Sequence, residues 1–300
     1  MRILLFILMQ VAVLIVVNIV GYIILSVLGI RLDGQSYTGL MIMCVVFGFT
    51  GSLISLFASK FMCKKAYGVQ VISKPRTARE QFLVRTVGEL AGKAGFSMPE
   101  VGIYNAPEPN AFATGASRNN ALVAVSSGLL DSMSEDEVKG VLGHEVTHIS
   151  NGDMVTMSLL QGVLNTFVYF FSYIAAMAVS SMTGGRDGRS EEGSGGGSNA
   201  TFMMTNMLFQ TVFGVLANII LMWFSRHREY RADEGSARLE GRSCMIGALQ
   251  ALQRGTQPAP GGQGQFSALC INGAGGLSEL FMSHPPLEKR IAALRALQIK

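Results

Sequence analysis

Four long segments of the chain are uncharged and mainly apolar, and they dominate its pattern of hydrophobic and polar positions. They cover residues 3–30, 36–59, about 154–182 and about 202–224. A helix needs about 20 apolar residues to cross the hydrocarbon core of a bilayer, so each segment is long enough. Backbone groups in lipid must bond within their own segment, which favours helices. The pattern therefore predicts four membrane-spanning helices.

Two other interpretations of these segments are weaker. Residues 3–30 could be a signal peptide, but they exceed the roughly 7–15 apolar residues of such a region, and no A-x-A-like cleavage site follows. The last two segments could form a buried hairpin in a large soluble core. Their length and lack of charge favour membrane spans.

The remaining polar stretches predict a mainly α soluble region with a small β element. Apolar residues recur at helical spacing in 82–96, and short strands broken by Pro and Asn are expected over 99–116. A further strand is expected at 122–125, followed by a helical turn. Ser134 and Glu137 form a capping-box pattern that opens the helix "EDEVKGVLGHEVTHISN", and Gly152 follows its end. Further helices are predicted at "SRHREYRADEGSARLE", 241–256 and "PPLEKRIAALRALQ", with loops at "PAPGGQGQFSALCINGAGG" and in the Gly/Ser-rich stretch 184–200.

These elements predict four successive parts of the chain. Residues 1–59 form a membrane hairpin, 60–153 the first half of a soluble domain, 154–224 a second membrane hairpin and 225–300 the second half of that domain. The two soluble halves face the same compartment and can combine into one domain.

Composition agrees with a membrane protein that has a sizeable soluble part. Charged residues make up 15% of the chain and hydrophobic residues 49%, against roughly 25% charged residues in ordinary soluble domains. The net charge of +4 is small and dispersed, so a nucleic-acid partner is not expected. Cys44, Cys63, Cys244 and Cys270 lack C-x-x-C spacing, which argues against a disulfide framework or a cysteine metal site.

Basic residues near the spans predict their orientation. Lysines and arginines follow the second span and the fourth span, and basic residues favour the cytoplasmic side. Both soluble halves are then cytoplasmic, and the loop 184–200 lies on the opposite side. The residues concerned are Lys60, Lys64, Lys65, Lys74, Arg76, Arg79, Arg226, Arg228 and Arg231.

The chemistry of the chain is concentrated in "HEVTH". His144 and His148 are two of only four histidines, and their spacing puts both imidazoles on one helix face. Glu145 is turned about 100° around the helix, which leaves its carboxylate close to a bound metal without being a ligand. This is the pattern of a zinc hydrolase with a glutamate base.

A catalytic zinc commonly has a third protein ligand. Glu229 is a candidate, and Asp233 on the same helix face could then hold the free nitrogen of a ligand histidine. Spacing alone leaves Glu234 and His227 as rivals. It also leaves open that Glu229 and Asp233 merely pair with the nearby arginines, and the role of Arg231 stays open.

Four stretches together resemble the HtpX group of membrane zinc metalloproteases, which is distantly related to the CAAX prenyl endoproteases. They are "PNAFATG", "HEVTHISNGD", "SRHREYRAD" and "FMSHPPLEKRI". The resemblance covers nearly the whole chain and implies a gluzincin-like site with His144, His148 and Glu229 on one zinc ion. It further implies Glu145 as general base, Asp233 behind a ligand histidine and His284 as a donor to the oxyanion. The alternative for His284 is a loop histidine that only packs.

Residues 110–115 could form an edge strand that pairs with an extended substrate; the alternative is a core hairpin. The resemblance implies a multi-pass protein of the bacterial inner membrane that cuts polypeptides, above all misfolded or damaged membrane proteins, on the cytoplasmic side during stress. The alternatives are a CAAX-like processing protease with narrow specificity and a non-catalytic transporter or zinc sensor. Oligomeric state is not readable from the sequence.

Overall fold

The computed structural model describes residues 37–184, 195–255 and 282–298, with three single positions at 19, 23 and 26. Apart from these single positions, the first predicted span lies outside the described residues, as do most of the Gly/Ser-rich loop and the predicted loop after residue 257. The helices are α1 (Tyr37–Tyr67), α2 (Ala78–Lys93), α3 (Ser127–Ser132), α4 (Glu135–Asn151), α5 (Asp153–Gly184), α6 (Gly195–Glu240), α7 (Arg242–Gly255) and α8 (Leu287–Ala296). The strands are β1 (Gln70–Val71), β2 (Glu100–Tyr104), β3 (Ala111–Ser117) and β4 (Asn120–Ser126).

Three of these helices are long and apolar enough to cross a membrane: Tyr37–Tyr67, Asp153–Met182 and Ala200–Glu240. They correspond to the second, third and fourth predicted spans. A mainly helical protein with a small sheet is therefore confirmed, whereas the first span stays a prediction.

The chain divides into two compact units. The first consists of Met1–Ser55 and Ser158–Leu221, and it contains most of the apolar helices. Within it, Gly48 lies so close to α5 that an added Cβ would stand 2.8 Å from the backbone nitrogen of Thr166. Thr166 donates to Gly162 O of its own helix at 2.8 Å, which satisfies its hydroxyl inside an apolar surrounding.

The second unit consists of Leu56–Met157 and Met222–Lys300, and it contains a four-stranded sheet in the order β1-β2-β4-β3. β2 and β4 are parallel, and the other two pairs are antiparallel. β3 is thus an edge strand of the described sheet, and it contains most of the "NAFATG" stretch. One face of the sheet packs on α2, α4 and α7 to form the main hydrophobic core.

Capping residues fix both ends of α4. Ser134 accepts a hydrogen bond from the backbone of Glu137, and the Glu137 side chain returns to the Ser134 backbone. This is the capping box that the sequence predicts. At the other end Gly152 has φ 68° and ψ 31°, a left-handed conformation that suits glycine. α5 begins at the next residue, so Gly152 alone separates the two helices.

α6 differs from the prediction at both ends. The sequence predicts a loop up to residue 200 and a separate helix after the fourth span, but a single helix runs from Gly195 to Glu240. Extending an existing helix costs much less than nucleating one, so a long apolar helix can continue into flanking segments of weak propensity. The charged segment "SRHREYRADEGSARLE" is its last part.

Candidate metal centre

His144 and His148 present their rings to each other from adjacent turns of α4. Their Nε2 atoms lie 3.1 Å apart, and their ring planes meet at 89°. Both residues are buried, with exposed fractions of 7% and 9%. The i, i+4 spacing thus places two nitrogen lone pairs around a single point.

Glu229 on α6 completes a group of three residues that could hold a metal ion. Its Oε2 lies 3.3 Å from Nε2 of His144, and its Oε1 lies 3.3 Å from Nε2 of His148. A tetrahedral zinc ion with bonds of about 2.0–2.1 Å holds its ligand atoms about 3.3–3.4 Å apart. The three residues are therefore spaced for a small cation with nitrogen and oxygen ligands.

The Glu229 carboxylate also has the character of a ligand whose partner is a metal. The residue is 1% exposed, yet its Oε2 accepts no hydrogen bond of acceptable geometry from any described group. Nδ1 of His284 and NH1 of Arg290 lie 2.8 and 3.4 Å from this oxygen, both outside hydrogen-bonding geometry, and a bound cation would satisfy the buried carboxylate. The donor set and this oxygen together fit a metal.

Close contacts at three glycines allow the ligand helices to approach each other. A Cβ at Gly143 of α4 would stand 2.6 Å from Oγ of Ser236, and one at Gly235 of α6 would stand 2.2 Å from Cγ2 of Thr147. At Gly140 an added Cβ would be 2.4 Å from the Cys244 carbonyl oxygen. Side chains at these positions would push α6 and α7 away from α4 and separate Glu229 from the histidines.

Asp233 and Arg290 lie behind His144. Asp233 Oδ1 is 2.9 Å from Nδ1 of His144. Arg290, on α8, donates to both Asp233 oxygens at 2.6 and 2.8 Å. Its NH1 also lies 3.4 Å from Oε2 of Glu229, so one buried cation faces two buried carboxylates.

His148 has a carboxylate of its own. Nδ1 of His148 lies 2.6 Å from Oδ2 of Asp153, the first residue of α5, and Asp153 is 4% exposed. Each histidine therefore uses Nε2 toward the ligand group and Nδ1 toward an aspartate. This arrangement fixes ring orientation in many metal sites.

These carboxylates raise the pKa of both histidines. Burial lowers the pKa of His148, but hydrogen bonds with Asp153 and Glu229 outweigh it and raise the pKa to about 9. Burial likewise disfavours the charged form of His144, and Asp233 and Glu229 raise its pKa. In the metal-free protein both histidines consequently keep their protons to a higher pH than an ordinary histidine does.

The structure also places the other predicted residues. Glu145 is partly exposed beside the ligand pair, which leaves its carboxylate open to water. Nδ1 of His284 lies 2.8 Å from Oε2 of Glu229, while its side chain is 61% exposed. His284 therefore stands at the border between the ligand group and solvent.

The rival ligands lie elsewhere. Glu234 pairs with Arg238 at 2.7 Å, and Nδ1 of His227 lies 3.0 Å from the Trp223 carbonyl oxygen. Arg231 is exposed, and the arginine that pairs with Asp233 is Arg290.

Sequence reasoning missed Asp153 and Arg290. The position of Asp153 five residues after His148 is the one sequence signal that could have suggested a partner for that histidine. Arg290 lies 57 residues from Asp233 along the chain, and no local pattern links the two. Cys44, Cys63 and Cys244 are free thiols.

Comparison with known proteins identifies the family. The model for peptidase family M48 matches residues 77–298, a range that contains every residue of this site. The chain belongs to peptidase family M48. This confirms the prediction of a metalloprotease, a hydrolase of peptide bonds, and sets aside a non-catalytic transporter or sensor.

Relatives within the M48 family match over almost the full length. Protease HtpX of Aeromonas hydrophila subsp. hydrophila is 54% identical over 294 residues, covering 98% of this chain and 99% of that protein. Protease HtpX of Pasteurella multocida is 55% identical over 298 residues, covering 99% and 98%. The resemblance to the HtpX group is thereby confirmed.

A solved structure agrees in fold. The crystal structure of S. mikatae Ste24p is similar with a TM-score of 0.58 and 19% identity. The similarity covers 87% of this chain, which spans 58% of that chain. At this identity the likeness concerns the fold alone.

Proposed function

We propose that this M48 peptidase is an integral-membrane zinc endopeptidase in which His144, His148 and Glu229 hold one zinc ion. The observation that carries the proposal is the clustering of their ligand atoms: the two histidine Nε2 atoms lie 3.1 Å apart, and each lies 3.3 Å from a different oxygen of the Glu229 carboxylate. Imidazole nitrogens and a carboxylate oxygen are the ligands of many catalytic zinc ions. When bound, zinc supplies a Lewis acid that polarises the scissile carbonyl and makes water a nucleophile near neutral pH.

Glu145 acts as the general base in this proposal. It follows a ligand histidine directly and is partly exposed, which supports a role in accepting a proton from a water beside the ligand group. Its carboxylate accepts a proton from the attacking water and delivers it to the leaving amine. Asp233 and Asp153 hold the two imidazoles while the proton moves.

His284 donates a hydrogen bond to the oxygen of the scissile carbonyl as negative charge develops there. Its exposed ring at the border of the ligand group supports this role, since a substrate carbonyl can reach it from solvent. The position of Pro285 and Pro286 after it limits the backbone freedom of the segment that carries the ring.

The substrate is an extended polypeptide that pairs with β3. This strand has one side hydrogen-bonded to β4, while its other side is unpaired in the described sheet and can accept a further strand. Backbone pairing tolerates many sequences, which suits removal of misfolded or damaged membrane proteins. With four spans and the basic residues that follow the second and fourth, cleavage takes place on the cytoplasmic side of the bacterial inner membrane.

Glu145→Gln tests the general base. Purified full-length protein in detergent, kept metal-free until the assay, should bind zinc normally after this change. Cleavage of an unfolded labelled casein-like reporter should fall by about 10²–10⁴-fold. Glu135→Gln, an exposed acid in the first turn of the same helix, serves as the control and should cut normally. Cleavage by Glu145→Gln at the parent rate would refute the assignment.

Glu229→Ala tests the third ligand. Zinc affinity, measured by competition with a chromogenic chelator, should collapse, whereas Glu234→Ala should leave it intact because Glu234 pairs with Arg238. Undiminished affinity in Glu229→Ala would show that the ligand set is wrong.

The alternative function is that of a processing protease with narrow specificity. It predicts cleavage of only a few members of a panel of unrelated unfolded proteins.

A further inference from the structure

Asp153 contacts a ligand histidine from a helix that supplies no ligand. Its Oδ2 lies 2.6 Å from Nδ1 of His148, and both residues are buried. A buried carboxylate is stable only when a partner offsets the loss of water. A hydrogen bond between an ionised carboxylate and an imidazole is among the stronger ones in proteins.

The turn between α4 and α5 explains this contact. α4 ends at Asn151, and the left-handed Gly152 donates its N–H to the carbonyls of His148 and Ile149. α5 starts at the next residue, so one residue separates the two helices and Asp153 lies against the ring of His148. A Cβ at Gly152 would meet no atom within 4 Å, so glycine is required there for its positive φ alone.

We propose that Asp153 is a positioning residue for His148. Its carboxylate accepts the hydrogen of Nδ1, which leaves the lone pair of Nε2 for the metal and holds the ring toward the other ligands. Nε2 accordingly faces Nε2 of His144 at 3.1 Å and Oε1 of Glu229 at 3.3 Å. The inference rests on the proposed function, since it concerns the zinc held by these three residues.

Each histidine then contacts an aspartate on a different apolar helix. His144 is held by Asp233 of α6, and His148 is held by Asp153 of α5. Asp233 shares its charge with Arg290, to which both of its oxygens are bonded. The first residue of α5 thus belongs to the metal centre as well as to a helix able to cross a membrane.

A simpler role for Asp153 is that of an acid in the first turn of α5, where negative charge favours the helix dipole. Such a role would change the stability of α5 and leave the affinity of the site for zinc unaltered. Asn can accept a hydrogen bond from Nδ1 without a charge, whereas Ala cannot. Zinc affinity across Asp, Asn and Ala at this position therefore separates the two roles.

The experiment compares Asp153→Asn and Asp153→Ala with the control Asp136→Asn in full-length detergent-purified protein. Asp136 is also a first-turn acid, in α4, and its side chain is 74% exposed. The zinc dissociation constant is measured by chelator competition, and the visible spectrum of the cobalt-loaded protein reports the ligand field. kcat and KM are then measured at saturating zinc.

We expect Asp153→Ala to raise the zinc dissociation constant about 10–100-fold, with Asp153→Asn between it and the parent, and Asp136→Asn within twofold. The cobalt spectrum should shift in both Asp153 variants, and kcat should fall with KM unchanged. Parent-like zinc affinity in both Asp153 variants would overturn the assignment, even if their melting temperatures fall. Parallel measurement of Glu229→Ala separates the two proposals: if it too keeps its zinc, the ligand set itself is wrong and the role of Asp153 falls with it.

Discussion

Arg290 pairs with the carboxylates of the site, and its removal should destabilise the fold. It is 5% exposed and faces Asp233 and Glu229, which are each 1% exposed and lie four residues apart on α6. Without it, two buried carboxylates would face each other with less compensation. Breaking a buried ion pair by removing one partner costs about 3–5 kcal/mol.

Arg290→Met should therefore lower the unfolding free energy of the metal-free protein by about 3–5 kcal/mol. Arg295→Met, on the exposed side of the same helix, should change it by less than about 0.5 kcal/mol. Thermal unfolding of both variants in detergent is the measurement. Equal melting temperatures for the two variants would show that the Asp233 pair does not stabilise the fold.

Zinc affinity should increase with pH. The pKa of His148 is raised to about 9 and that of His144 is also raised, so the metal-free site holds protons through the neutral range. Both histidines must lose these protons to bind metal, and binding releases them. From pH 6 to 8 the logarithm of the association constant should rise by up to about 2 per pH unit. Chelator competition at three pH values checks this, and a constant affinity would contradict the raised pKa values.

At the residue scale, local spacing was the useful signal. His144, Glu145 and His148 follow from one helix period, but the choice of Glu229 over Glu234 came from resemblance and not from spacing. Asp153 and Arg290 were missed for a physical reason: their roles depend on a one-residue turn and on a contact across 57 positions. Neither leaves a periodic pattern in the sequence.

The packing of α4 against α7 gives a prediction for whole elements. Gly140→Ala would place a Cβ 2.4 Å from a backbone oxygen of α7, which cannot rotate away as a side chain can. We expect a loss of about 1–3 kcal/mol in unfolding free energy, the usual cost of overpacking. Weaker zinc binding should accompany it, because α4 carries both histidines.

Gly247→Ala is the matched control for that change. Gly247 lies within α7, and its nearest neighbour would be a side-chain carbon of Glu137 at 3.5 Å, an ordinary contact. Alanine there should stabilise the helix by up to about 1 kcal/mol. If both substitutions changed the unfolding free energy in the same direction, the close approach of the helices at Gly140 would not determine the stability of the interface.

Element types were predictable where the periodicity was long and clear. The helix with HExxH, its capping box and its terminal glycine follow from the sequence, because each depends on neighbouring residues. The parallel pairing of β2 with β4 was not predicted, because strand order depends on contacts between distant segments. The continuity of α6 was missed because a charged composition ends an apolar pattern without ending a helix.

On the scale of the whole molecule, the orientation across the membrane is open to direct test. Single cysteines at Ser190 and at the exposed Ser97, in a background with the four native cysteines replaced by serine, can be labelled with a membrane-impermeant maleimide. In intact spheroplasts Ser190→Cys should react and Ser97→Cys should not. The basic residues that follow the second span should keep residues 60–153, which include Ser97, in the cytoplasm. Permeabilised membranes provide the control, in which both should react. The opposite labelling would reverse the predicted topology.

The long apolar segments were sufficient to predict a membrane protein, because a membrane span must be long and must satisfy all of its backbone hydrogen bonds internally. Three such helices are described, and a relative of almost equal length shares more than half of its residues with this chain. The arrangement of the soluble halves could not be predicted, because it depends on long-range packing.

The seven residues of β3 lead to a consequence for the choice of substrate. A chain that pairs with this edge must first give up its own hydrogen bonds over a stretch of similar length. The rate of cleavage should then follow the equilibrium fraction of time for which that stretch is locally unfolded. A ligand that stabilises a target protein at 100 times its dissociation constant would lower this fraction about 100-fold. The choice of substrate would thus depend on the local stability of the target protein rather than on its sequence.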